Sequence, residues 1–374
     1  MISTDIRRDL IMPPRHLSQL QLLHFYRKAP YGDLVPADLD DSLIAYQSPL
    51  ELLRLLQKTR PDIVQNVELF SIRQLPYIAA ILYHARTTRK PLIASVHMGR
   101  PLHKKYGYAL ATLLKLILQP VLRYTSIFFY LNEGGRCNLL WMGVPESKLV
   151  RLMYGTWGID PQEFSPIKDG SEPAWGEHPV ILFVGRLHAE KGIFDLLRAY
   201  GLIQEAVPDA RLVFIGDGPH RNQAEQYVHT AGWDGKVNFL GTIKNRHLPA
   251  YFRAATVFAC PARTTRRWEE YVGMTNIQAM ACGVPVVSTL SGAIPEYVPD
   301  GQAGLLVPEQ DPQALAEAIQ RLLDDNELRT KLGRQARLYA TEHYNAQLNV
   351  QKAEQIILDR CYSPGSQPQK RDTN

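Results

Sequence analysis

Short apolar runs alternate with helical stretches along most of the chain. From Asp62 onward a strand-like DIVQ is followed by a helical pattern over Leu75 to Thr88 and a strand PLIASV (91–96). Next come a basic helix from Lys104 to Leu122 and strands SIFFYL (126–131) and KLVRLM (148–153). Beyond the polar, turn-rich KDGSEPAWGEHP the pattern restarts with VILFVG (180–185), a helix from Ile193, LVFIG (212–216), VNFLG (237–241), TVFACP (256–261), VPVVST (284–289) and GLLV (304–307). Apolar runs without alternation, separated by helices, indicate parallel sheets covered on both faces. Helices are expected over Pro312 to Leu323, Glu327 to Ala340 and Ala346 to Leu358. Residues 1 to 60 are less regular, with helices expected around Leu17 to Tyr26 and Pro49 to Lys58. Tyr362 to Asn374 has no apolar pattern and is expected to be a disordered tail.

The stretch from Trp268 to Val287, WEEYVGMTNIQAMACGVPVV, organises the rest. Its helix, about Met274 to Cys282, lies between Gly273 and Gly283, so the amides of Met274, Thr275 and Asn276 are expected to be unpaired at its positive end. Such an end attracts anions. Glu270 precedes it and Gln278 lies one turn inside, where both could face a ligand at the tip. An amphipathic helix with a surface acid in front of it would read the same.

Gly185 lets the chain turn sharply after VILFV, delivering Arg186 and Lys191 to one sheet edge. Two cations there suit a diphosphate, because unit charges ~4 Å apart attract by several kcal/mol at an intermediate dielectric. Two surface cations after a strand are the plain alternative. Thr242 and Ile243, past another strand end, could offer backbone groups to a flat base. His97 directly follows PLIASV, at the carboxyl edge where ligands of open α/β sheets bind; a strand cap or a bond to a carbonyl would place a histidine there equally. Asn132 to Gly135 and Ser291 to Ala293 are similar edge loops.

The 374 residues suffice for two domains. Four scattered cysteines, with no C-x-x-C and no histidine at zinc spacing, fit a reducing compartment and no structural metal. The N-terminus lacks the apolar core of a signal peptide, and YALATLLKLILQPVL falls short of a membrane span. Residues 1 to 170 carry 21 Lys/Arg against 14 Asp/Glu, the remainder 21 against 23, so the basic first half suits an anionic partner such as a lipid surface or an acidic acceptor. The basic residues are dispersed and no nucleic-acid motif appears.

Taken together, VGRLHAEKG, FIGDGP, FLGTI and WEEYVGMTNIQAMACGVPVVSTLSGAIPEYVPDGQAGLLVP resemble the retaining glycosyltransferases of family 4 (glycosyl transferases group 1) over residues 148 to 345. TWGIDPQEF (156–164) is similar to that family's interdomain crossover. The resemblance implies the GT-B fold, two Rossmann-like doubly wound domains facing a central cleft. Residues 1–165 would be the acceptor side, 171–344 the nucleotide-sugar side, 345–361 a returning helix and 362–374 a tail. It implies hexosyl transfer with retention, from a UDP- or GDP-linked donor to a carbohydrate or lipid-linked acceptor, in cell-envelope polysaccharide or glycolipid synthesis. No aspartate cluster for a metal is apparent in the sequence, so metal independence is expected, as is a place in the cytoplasm or at the membrane's cytoplasmic face. No cofactor other than the sugar nucleotide is implied.

By the same resemblance Arg186 and Lys191 contact the donor diphosphate, Glu270 the hydroxyls of the transferred sugar, and the amides of Met274 and Thr275 the diphosphate. His97 would reach the donor sugar near the reacting centre. Two departures stand out. Gln278 occupies the place of the acid expected on the nucleotide ribose, retaining one acceptor and one donor there. Nothing in residues 1 to 60 matches the family's first strand and glycine-rich loop. A sugar-nucleotide-binding protein without transferase activity, and an epimerase of the same fold, are the competing readings.

Overall fold

The computed structural model describes residues 1–3, 8–27, 40–167, 169–266 and 268–362. The chain forms two compact units: Met1–Gly158 joined by the segment from Ala346 onward, and Ile159–Asn345.

In chain order the first unit holds α1 (Arg8–Ile11), β1 (His24–Tyr26), β2 (Leu43–Ala45), α2 (Pro49–Thr59), β3 (Val64–Gln65), α3 (Leu75–Thr87), β4 (Leu92–Val96), α4 (Leu102–Tyr106), α5 (Tyr108–Tyr124), β5 (Thr125–Tyr130), α6 (Glu133–Trp141) and β6 (Leu149–Arg151). The second holds β7 (Val180–Val184), α7 (Ile193–Ala206), β8 (Arg211–Ile215), α8 (Arg221–Thr230), β9 (Val237–Phe239), α9 (Leu248–Ala254), β10 (Val257–Cys260), α10 (Met274–Ala281), β11 (Val286–Thr289), α11 (Ile294–Tyr297), β12 (Gly304–Val307), α12 (Pro312–Asp324) and α13 (Asn326–His343). The last helix, α14 (Ala346–Cys361), returns to the first unit.

In the first unit β3, β4, β5 and β6 pair in that order, all parallel, while β1 and β2 form a separate parallel pair. The helix α2 begins where sequence places it: the Ser48 hydroxyl accepts the Glu51 amide at 3.2 Å, and the Glu51 carboxylate accepts the Gln47 amide at 2.7 Å. This reciprocal cap satisfies two amides at the helix start. α14 covers one face of the sheet, with Val350, Ala353 and Ile357 packed in one cluster with Ile93, Ile127, Phe129, Tyr154 and Trp157.

A helix over Leu17 to Tyr26 does not form. Leu17 to Leu23 are irregular and His24–Tyr26 is a strand, paired with Leu43–Ala45 and bridged by Ile2. The cause lies far along the chain. The buried carboxylate of Glu354 accepts the amides of Ser18, Gln19 and Leu20 at 2.7 to 3.0 Å and the Ser18 hydroxyl at 2.8 Å. Burial raises the Glu354 pKa, but these donors outweigh it and hold the carboxyl below its ordinary value. The expected helix over Lys104 to Leu122 is two, α4 and α5, broken at Gly107 with φ +80°. Of the C-terminal tail only Tyr362 lies within the described residues.

The second unit is a six-stranded parallel sheet in the order β12-β11-β10-β7-β8-β9. The chain therefore runs outward from β7 to β9 on one side, then starts again at β10 and runs outward on the other. Connections after β7 and β10 diverge from adjacent strands, which opens a crevice at their carboxyl ends. Both strands are fully buried, as their unbroken apolar sequence requires.

Candidate active site

Close backbone packing sets the geometry at the carboxyl ends of β7 and β10. Gly216 has φ +131°, and a Cβ there would lie 2.0 Å from the Gly185 carbonyl oxygen. The chain after β7 makes one short turn, Ala189–Lys191, and then takes the left-handed conformation at Gly192 (φ +73°). A Cβ on Gly192 would meet the Pro261 carbonyl oxygen at 1.8 Å. Only glycine fits, so the loop bearing Lys191 lies directly on the loop after β10.

That contact brings Lys191 to Glu270. The ammonium donates to the Glu270 carboxylate and sits 4.8 Å from the centroid of the Trp268 ring. Their side chains keep 22% and 14% of their exposure, so the pair is largely removed from water. Burial lowers the Lys191 pKa, while the Glu270 charge and hydrogen bond raise it and prevail; the net shift is upward. Glu270 is fixed in turn by its backbone: its carbonyl accepts the Ala293 amide at 2.9 Å, and a Cβ on Gly292 would fall 2.2 Å from that same oxygen. Arg186 is exposed, forms no ion pair among the described residues, and its charge acts on Lys191.

α10 begins after Gly273, which is left-handed at φ +76°, and ends at Gly283, φ +75°. Among the described residues the amides of Met274 and Thr275 have no partner. Asn276 differs from expectation: its amide donates to the Gly273 carbonyl at 2.9 Å, because the first turn is tightened. Its side chain is buried and points inward, Nδ2 3.4 Å from the Ser288 hydroxyl, which itself donates to the Cys260 carbonyl at 2.7 Å. Asn276 thus ties the helix start to β10 and β11.

Gln278 is 7% exposed, and its Nε2 donates to Asn245 Oδ1 at 3.0 Å. Asn245 immediately follows Gly241 to Lys244, the segment of Thr242 (exposed) and Ile243 (half-buried). One hydrogen bond therefore joins two elements that sequence reasoning picked out separately. His97, in the first unit, follows β4 and is half-buried; its Nε2 lies 3.3 Å from the Tyr154 carbonyl and its own carbonyl accepts the Asn132 side-chain amide at 3.1 Å.

Two contributors went unrecognised in the sequence. Trp268 lies two residues before Glu270, a spacing that could have flagged an aromatic face for the lysine. Asn245 carried no such signal. The arrangement offers an ammonium, a guanidinium and two free amides at one sheet edge, with a carboxylate among them, which suits an anion flanked by hydroxyl groups. Among the described residues no three of His, Cys, Asp or Glu gather as metal ligands.

The family description "Glycosyl transferases group 1" matches residues 167–339. A GDP-mannose-dependent alpha-(1-6)-phosphatidylinositol monomannoside mannosyltransferase of Mycolicibacterium smegmatis is 31% identical over 282 residues, spanning 74% of this chain and 72% of that one. A Mycobacterium tuberculosis protein of the same description is 33% identical over 64% of this chain and 63% of its own length. Among solved structures, Anabaena Alr3699/HepE in complex with UDP and glucose superposes with a TM-score of 0.72 over 96% of this chain and 99% of that one. At 16% identity this likeness bears on the fold alone, and the fold is GT-B.

Proposed function

This chain belongs to the glycosyl transferases group 1 family, and from that premise we propose that it moves a hexosyl unit from a UDP- or GDP-linked donor to an acceptor hydroxyl. Transfer proceeds with retention and without a metal. Arg186, Lys191 and the amides of Met274 and Thr275 hold the diphosphate, while Gln278, Asn245 and the Thr242–Ile243 backbone receive the nucleoside. Glu270 contacts hydroxyls of the transferred sugar. As the acceptor oxygen bonds to the anomeric carbon and the bond to the diphosphate breaks, the departing phosphate oxygen takes the acceptor proton. The cations and helix tip stabilise the charge that grows there.

The observation that supports this reading is the Lys191–Glu270 pair at the β7/β10 crevice. In the free protein the carboxylate neutralises a cation meant for phosphate, so donor binding exchanges one anion for another on Lys191. His97 is assigned to the donor sugar, and His97→Ala is expected to lower turnover far more than nucleotide affinity. The acceptor belongs to polysaccharide or glycolipid synthesis at the cell envelope, on the cytoplasmic side.

A non-catalytic sugar-nucleotide binder is the second reading, favoured by Gln278 standing where an acid is expected. Calorimetric titration with UDP and GDP, then incubation with labelled UDP- and GDP-sugars and an acceptor panel, separates the two. Binding with transfer supports the enzyme; binding with neither transfer nor hydrolysis supports the binder. Failure of both nucleotides to bind would overturn both.

A further inference from the structure

Glu190 stands inside the motif VGRLHAEKG, directly before Lys191, yet no part of the donor site uses its carboxylate. The side chain keeps only 20% of its exposure. Backbone and side chain both reach the loop after β10: the Glu190 carbonyl accepts the Arg263 amide at 2.9 Å, and the carboxylate accepts the Thr265 hydroxyl at 3.1 Å. The second carboxylate oxygen lies 3.2 Å from His188 Nδ1. A carboxylate only accepts, so the Thr265 hydroxyl is committed as a donor and offers its lone pairs elsewhere. The Trp268 amide takes them, donating to Thr265 Oγ1 at 3.0 Å, while the Thr265 amide donates to the Trp268 carbonyl at 2.7 Å.

These bonds fix the backbone from which the Trp268 indole projects, and the Lys191 ammonium lies 4.8 Å from the centroid of that ring. A lysine ends in a point charge on a flexible four-carbon stem with three rotatable donors, so a single carboxylate leaves its position loosely set. Glu270 supplies one restraint and the aromatic face a second, attracting the ammonium without a full negative charge. The face also stays in place when Glu270 turns to the hydroxyls of a sugar. From the Glu190 carboxylate the contacts run through the Thr265 hydroxyl, the Trp268 backbone and its ring to Lys191, the residue next to Glu190, and so close a circuit across the loops after β7 and β10. Thr264 is held by other groups: its amide and hydroxyl donate to Glu309 at 2.8 and 2.7 Å, and the hydroxyl lies 3.1 Å from Ser291 Oγ. The two neighbouring threonines serve different anchors, so the route through Trp268 can be tested by itself.

We propose that Glu190 and Thr265 are positioning residues for the phosphate-binding cation: together they seat the Trp268 indole, and the indole holds the Lys191 ammonium where a diphosphate meets it. This deepens the donor-binding reading and rests on it. The test is calorimetric titration of the full chain with UDP and with GDP, paired with the emission of Trp268, read as the difference between each protein and its Trp268→Leu counterpart. Thr265→Val keeps the shape of the side chain and removes the hydroxyl. It should weaken nucleotide binding about three- to tenfold, the range that a partly shielded cation–ring contact spans, and move the Trp268 emission to the red as the ring loosens. Thr265→Ser, which keeps the hydroxyl, should restore both. In the Trp268→Leu background Thr265→Val should cost less than about twofold further, because its route to Lys191 is already gone. Thr264→Val should leave affinity within about twofold of wild type. If Thr265→Val shows no melting transition, Glu190→Gln takes its place: it keeps one acceptor without the charge and should weaken binding about two- to fourfold, and only where Trp268 is present. Wild-type affinity in the variant, an equal loss in Thr264→Val, or a loss that persists in Trp268→Leu overturns the proposal and leaves the donor-binding reading standing. A wild-type chain that binds neither UDP nor GDP overturns that reading, and the proposal with it.

Discussion

If Glu270 is what keeps a charged Lys191 in its half-dry site, deleting either partner should cost more than its share of deleting both. Breaking a fully buried ion pair from one side costs about 3–5 kcal/mol. Here the side chains retain 22% and 14% exposure, and the Trp268 face stays beside the ammonium when Glu270 is changed. Those features reduce the expected loss to about 2 kcal/mol for Glu270→Gln and for Lys191→Met. The double variant should fall short of the sum by about 1–2 kcal/mol. Scanning calorimetry of the full chain reads this directly: about 2 kcal/mol lowers the transition of a unit this size by about 4–8 °C. The pH dependence has a definite sign. The folded-state pKa of Lys191 is raised above its ordinary 10.5, so its contribution is fully present below 10.5 and lost as pH rises through the folded value. In Glu270→Gln the loss should begin at lower pH, since burial then acts unopposed. Additivity of the two changes within about 0.3 kcal/mol, or a Glu270→Gln protein that melts like wild type, would refute the reasoning.

Gly292→Ala should destabilise the second unit by more than about 2 kcal/mol and impair nucleotide binding, because its Cβ would fall 2.2 Å from the Glu270 carbonyl at φ +52°; a melting temperature equal to wild type would contradict this. Gln278→Glu should tighten UDP or GDP binding several-fold in calorimetric titration, since a carboxylate accepts from two ribose hydroxyls and the Asn245 amide can turn to donate to it. Weaker binding would show that Gln278 serves the Asn245 contact alone. Burial pushes Cys260 up to about 11 and Cys282 up to about 12, so both should resist iodoacetamide at neutral pH while exposed Cys137 reacts. Peptide mapping that finds Cys260 alkylated first would refute the account.

Elements whose cause is local were legible in the sequence. The strands of both parallel sheets announce themselves because burial on two faces demands continuous apolar runs, and α10 because glycines at 273 and 283 mark its ends. The segment from Leu17 to Tyr26 was misread because its backbone is claimed by Glu354, 336 residues from Ser18. No window of local pattern contains that partner. Within the site, the residue types on the loops after β7 and β10 were readable, but their mutual contact was not: it depends on Gly192 admitting the Pro261 carbonyl, a tertiary coincidence of two backbones. A helix start after Gly273 predicts a free Asn276 amide, but the place of the start does not distinguish a tightened first turn from an open one.

The return of α14 to the first unit has a consequence for biosynthesis. A ribosome delivers residues 1–158 first, yet Ser18, Gln19 and Leu20 must wait for Glu354, and the sheet face over Ile93 and Phe129 for Val350 and Ile357. The second unit, uninterrupted from 159 to 345, can mature while its neighbour is still unfinished. A nascent chain stalled before residue 346 should therefore display a protease-resistant later half and a cleavable earlier one.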